Sequence, residues 1–124
     1  MAKILVIDDD RMVRETLKII LAAAGHEVLL TEDGNKGLRA FTEFTHDLVI
    51  TDILMPEKEG METIRDLREL RPDVPIIAIS GGGRVGNMSF LKVAERFGAN
   101  RTITKPFEPD HIVATIAELL PKAA

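Results

Sequence analysis

The chain has 124 residues, 16 of them basic and 20 acidic, for a net charge of −4. That length suits one domain spanning 1–124, large enough to bury roughly two thirds of its unfolded surface without a staple. Having no cysteine, the chain excludes a disulfide scaffold, a zinc-thiolate site and thiol catalysis. Its acidic balance and lack of Trp and Tyr argue against nucleic acid, which needs cations for phosphates and rings for stacking.

The first strand is expected at Lys3–Ile7, where Ile4-Leu5-Val6-Ile7 is continuously apolar. It runs straight into Asp8, Asp9 and Asp10, whereas a signal peptide would stay apolar. Val13, Leu17, Ile20, Leu21 and Ala24 recur at helical spacing, with Gly25 as the stop. The longest aliphatic run, Ile19 to Ala24, falls far short of the roughly 20 residues of a membrane span. No membrane contact is expected, and a cytoplasmic location is the default. A strand at Glu27–Leu30 leads to a helix marked by Leu38, Phe41 and Phe44, and Leu48–Thr51 is the third strand. Met61, Ile64 and Leu67 mark a third helix, ended by Pro72. After a strand at Ile76–Ile79 come Met88, Leu91, Ala94 and Phe97, stopped by Gly98. A strand at Arg101–Ile103 and a helix through Ile112, Ile116 and Leu119, with Pro109 in its first turn, complete the chain.

Alternating strands and helices predict an α/β fold, a parallel sheet with helices on both faces. Continuous apolar strands, rather than alternating ones, indicate that both faces are covered. In such sheets ligands bind beyond the carboxyl ends of the strands. Four clusters stand there: Asp8-Asp9-Asp10, Thr51-Asp52, Ser80 and Thr104-Lys105. Crowded carboxylates repel unless a cation or proton sits among them. A few oxygen ligands with positions left for water and phosphate suit Mg²⁺. Lysine and a hydroxyl opposite them would complete a phosphoryl site, with aspartate as a nucleophile toward phosphorus.

In this set and order, Asp8-Asp9, Thr51-Asp52-Ile53-Leu54-Met55-Pro56, Gly60, Ser80 and Lys105-Pro106-Phe107 resemble the receiver domain of two-component response regulators over essentially the whole chain. The resemblance implies a flavodoxin-like (βα)5 fold with strand order 2-1-3-4-5. It implies Asp52 as phosphoacceptor. The Mg²⁺ ligands would be Asp9 directly, Asp8 through water, Asp52 itself and the backbone carbonyl of Leu54. Ser80 would be the hydroxyl that moves toward the phosphoryl group and Lys105 its ion-pair partner, with a cis Lys105–Pro106 bond. A sensor histidine kinase or histidine phosphotransfer protein would be the donor. A chain ending at Ala124, just after the last helix, is expected to stand alone and to signal to a downstream protein through the face of the last two helices and last strand. The same resemblance makes it a phosphoacceptor that catalyses its own transfer rather than an enzyme. Leu54 and Gly82, unable to orient water, imply slow self-dephosphorylation.

Each residue also has a structural reading. Asp10 is an N-cap of the first helix, Asp47 is a turn residue at the opposite edge, and His26, His46 and His111 lack ligand spacing and are expected in loops or at the surface. The Met and Phe positions of the helices are core. Two other functions compete. Asp8-x-Asp10 with Ser80 and a later lysine is similar to haloacid-dehalogenase-type phosphohydrolases, which would make Asp8 the nucleophile and leave Asp52 unexplained. Gly81-Gly82-Gly83-Arg84-Val85-Gly86 satisfies GxGxxG, but it follows the fourth strand and lacks the acid-ended strand of a dinucleotide site.

Overall fold

A computed structural model describes residues 2–53, 60–80, 94–105 and 107–120. Its strands are β1 (Lys3–Ile7), β2 (Glu27–Thr31), β3 (Leu48–Asp52), β4 (Ile76–Ser80) and β5 (Arg101–Thr104). The helices are α1 (Arg11–Ala23), α2 (Gly34–Glu43) and α3 (Gly60–Leu70), then α4, described at 94–97, and α5 (Pro109–Leu119). All neighbouring strands are parallel, in the order β2-β1-β3-β4-β5, so the flavodoxin-like order is the one found. Strands β2 to β5 each run one residue beyond the sequence expectation. The reason is local: Asp52 and Ser80 still pair, with Ile79 and Thr104, so these polar residues close the ladder instead of following it.

Period-two alternation divides the core into two layers. Leu5 and Ile7 of β1 join Val49, Ile64, Leu67 and Ala94 on one face. Ile4 and Val6 join Leu17, Leu21, Ile112 and Ile116 on the other. Each such side chain, fully withdrawn from water, contributes roughly 1.5–3 kcal/mol. Helix α1 is entered through Asp10, whose side chain accepts from the Met12 N–H, and α2 through Asp33, which accepts from Lys36 N–H. Gly25 and Gly98, at φ 92° and 127°, are the turns after α1 and α4 that the glycine pattern predicts.

One expectation about the core needs correction. Phe44 is 59% exposed and Phe97 is 40% exposed. Phe44 follows the last residue of α2 with an extended backbone, so its ring leaves the buried stripe that Phe41 occupies. His46, expected in a loop or at the surface, lies in a loop but is only 4% exposed. It sits in the α2–β3 connection, its ring stacked on Phe41 with centroids 6.2 Å apart.

Candidate functional site

Chain order and sheet order reverse beside β1: the chain goes out to β2, then crosses to β3. This is the switch point where a parallel sheet leaves a crevice at its carboxyl edge. The ends of β1 and β3 bring Asp8, Asp9 and Asp52 together, one oxygen of each lying within 4.8 Å of the others. Asp8 and Asp52 are buried and Asp9 is exposed. From β5, Lys105 reaches across, with Nζ 3.0 Å from Asp52 Oδ2 and 3.0 Å from Asp8 Oδ2. The contact with Asp52 is a hydrogen bond donated by Lys105; the contact with Asp8 is an ion pair.

The backbone fixes these groups. Asp8 N–H donates to Thr31 O of β2, and Ile53 N–H to Ile79 O of β4. Asp8 Oδ1 accepts from Asp10 N–H at 2.8 Å, and Asp8 O from Arg14 Nη1 at 2.8 Å. Lys105 N–H donates to Ser80 O at 2.8 Å, tying the lysine to the end of β4. Ser80 is wholly buried, and its Oγ has no hydrogen-bond partner among the described residues. A buried hydroxyl without a partner is costly, which marks a place where a ligand oxygen fits.

Burial raises the Asp8 carboxyl to about 6; the Asp52 charge adds to the rise, while the Asp10 N–H and Lys105 offset part of it. Burial works against the Lys105 ammonium, but the Asp52 and Asp8 carboxylates outweigh it and raise its pKa. Three carboxylates against one ammonium leave an excess of two negative charges. That excess, carried on oxygen donors only, is what a hard divalent cation neutralises, so the donor set fits Mg²⁺.

Five of the six expected site residues thus converge, from β1, β3, β4 and β5. The sixth, Leu54, lies outside the described residues, as do Pro106 with its expected cis bond, Gly82 and the glycine-rich stretch 81–86. Asp10 caps α1 with Oδ1 2.9 Å from Met12 N, which removes it from the Asp8-x-Asp10 pair a dehalogenase-type site requires. Asp47 lies at the opposite edge, where Oδ2 accepts from Lys3 N–H at 2.8 Å. His26 is half-buried, with Nδ1 accepting from Ala2 N–H, and His111 is exposed on α5. Sequence reading missed the role of Arg14 in holding the Asp8 carbonyl; its place one turn into α1 was the available signal. No described helix is long and apolar enough to cross a membrane.

Comparison with known proteins accords with this geometry. The family model of the response regulator receiver domain matches residues 4–117. The DNA-binding transcriptional regulator NtrC of Azospirillum brasilense is 37% identical over 119 residues, covering 96% of this chain and 24% of that protein. The chain spans about half the length of several other regulators it matches. Among solved structures, a response regulator receiver domain protein from Clostridium thermocellum superposes with a TM-score of 0.88 at 33% identity, covering 96% of this chain and 94% of that one. Chemotaxis protein CheY4 of Vibrio cholerae superposes with a TM-score of 0.87 at 27% identity, covering 97% and 99%.

Proposed function

The chain belongs to the response regulator receiver domain family, and from that premise we propose that Asp52 is its phosphoacceptor, loaded by a sensor histidine kinase or a histidine phosphotransfer protein. The observation that carries the reading is the Lys105 bridge to Asp52 and Asp8, beside the unpartnered Ser80 hydroxyl.

In the proposed reaction an Asp52 carboxylate oxygen attacks phosphorus. The phosphorus–nitrogen bond of the donor's phosphohistidine breaks, and its electron pair returns to the imidazole. An acyl phosphate remains on Asp52. Lys105 balances charge on the acceptor before transfer and on the phosphoryl oxygens after it. Ser80 Oγ donates the hydrogen bond it lacks at rest. Asp8 and Asp9, with Asp52, would hold Mg²⁺, which when bound supplies charge neutralisation to the transferring group. Asp10 and Arg14 keep Asp8 in place through their contacts with its Oδ1 and O.

Charge-assisted contacts contribute roughly 1.5–3 kcal/mol each. Lys105 exchanges its bridge to Asp52 and Asp8 for the phosphoryl oxygens, so the one added contact, from Ser80, shifts the equilibrium by about ten- to a hundredfold before desolvation is subtracted, about half of the roughly 5.5 kcal/mol that takes 1:99 to 99:1. Phosphorylation can therefore switch the contacts this domain makes with a downstream protein. Residues 1–124 act as one receiver unit in this reading.

Intact-protein mass after exposure to acetyl phosphate tests it. One phosphoryl adduct is expected with Mg²⁺, none with a chelator, and none in Asp52→Asn. An adduct that survives Asp52→Asn but is lost in Asp8→Asn would reassign the nucleophile to Asp8.

A further inference from the structure

Strand β2 ends the sheet on one side. Glu27 N–H donates to Ala2 O, and Thr31 O accepts from Asp8 N–H. In a parallel ladder alternate residues turn both backbone groups the same way, so Glu27, Leu29 and Thr31 face β1. Val28 and Leu30 therefore turn their N–H and C=O outward, and no hydrogen bond from either to a described residue lies on that side. Natural edges are normally blunted by lysine, proline or a bulge. The other edge, β5, opens with exposed Arg101; β2, Glu-Val-Leu-Leu-Thr, opens with exposed Glu27 but carries no lysine, proline or bulge. Beside it lie two exposed apolar side chains, Leu29 at 38% and Phe44 at 59%. They line a cavity of about 220 Å³ that also touches Ile4 and Val28 and is rimmed by one cation, Lys3, and one anion, Glu27.

We propose that the β2 edge pairs antiparallel with β2 of a second copy of this chain, about a two-fold axis at Leu29. Backbone phase and charge select both partner and register. Pairing Val28 with Leu30 of the other copy, and the reverse, engages every outward-facing group of the strand in four hydrogen bonds. It sets Glu27 opposite Thr31 and His26 opposite Glu32, with no like charges facing. Centring on Leu30 instead would set Glu27 against Asp33, two carboxylates. Centring on Val28 would pair Leu30 with His26, whose N–H already donates to Leu21 O. The strand is thus self-complementary in one register, as an isologous contact requires. One strand pair with two apolar side chains per copy buries less than the roughly 1,200 Å² of a stable interface, so the dimer is transient and concentration-dependent.

The cysteine-free sequence provides a direct test. At the axis, Leu29 faces its own copy in a non-hydrogen-bonded pair with Cα atoms about 4.5 Å apart, within disulfide range. Under mild oxidation Leu29→Cys is expected to crosslink about tenfold or more faster than Ile19→Cys, an exposed site on α1, because pairing holds the two thiols together. Sedimentation equilibrium should show wild-type mass rising with concentration and Leu29→Lys remaining monomeric, with phosphoryl-adduct formation unchanged. Equal crosslinking rates for the two cysteine variants, or a wild-type mass that stays monomeric at every concentration, would overturn the proposal.

Discussion

At the scale of residues, the site holds more negative charge than its own lysine neutralises, and Asp8 bears most of the strain. Its carboxyl stands at about 6 in the fold against an ordinary 3.8. A raised acid favours the fold while protonated in both states, below the ordinary value. Stability is then lost as pH rises from about 4 through 6. Without divalent cations, Asp8→Asn is therefore expected to stabilise the protein by about 1–3 kcal/mol at pH 7 and by much less near pH 4. Urea unfolding at the two pH values measures this. Adding Mg²⁺ should narrow the gap, because only the wild type has the full ligand set. The positions of Asp8, Asp52 and Ser80 were legible in the sequence because each stands where an apolar strand turns polar, and that of Lys105 because it opens Lys105-Pro106-Phe107 after the last strand. The Lys105 bridge was not legible, since side-chain reach across a sheet leaves no mark on spacing.

Among the elements, α2 packs tightly against the sheet at Gly37. A Cβ on Gly37 would collide with the Ile7 side chain of β1, and Ile7 immediately precedes Asp8. Gly37→Ala is expected to lower stability by about 1–3 kcal/mol through overpacking, read as a lower denaturation midpoint with an unchanged slope. Strands β1, β3 and β4 could be located from their apolar runs and the other two from their short β-branched stretches, and Gly25 and Gly98 could be recognised as helix stops. Phe44 misled because helical spacing continues in sequence one residue after the helix has ended. The nature of α2's contact with β1 stayed hidden for a related reason: a glycine within a helix pattern does not say which neighbour requires it.

Across the whole molecule, the edge opposite the site is tied by arginines. Arg68 donates to Gly98 O through Nε at 3.0 Å and Nη2 at 2.7 Å, and to Asn100 Oδ1 at 2.6 Å, joining α3 to the end of α4 and the start of β5. Arg71 donates to His46 O at 2.6 Å and lies over the Phe41 ring, 5.8 Å from its centroid. Burial lowers the His46 pKa, helped by Lys3 and Arg71 and opposed by the Ala40 backbone and Asp47. A depressed histidine contributes stability above its ordinary value of 6.5, and that stability is lost as pH falls toward the folded value. His46→Phe, which keeps the stack on Phe41, should flatten the acid side of the stability profile below pH 6.5, measured by urea midpoints. The sequence concealed this cluster because three scattered histidines show no spacing, and burial in a loop follows from long-range packing.

The phosphoacceptor assignment is tested most directly by borohydride reduction of the loaded protein, which converts an aspartyl phosphate to homoserine, followed by peptide sequencing by mass. Homoserine is expected at position 52 and nowhere else, only when Mg²⁺ was present during loading. Homoserine at position 8 or 9, or loading indifferent to Mg²⁺, would contradict it.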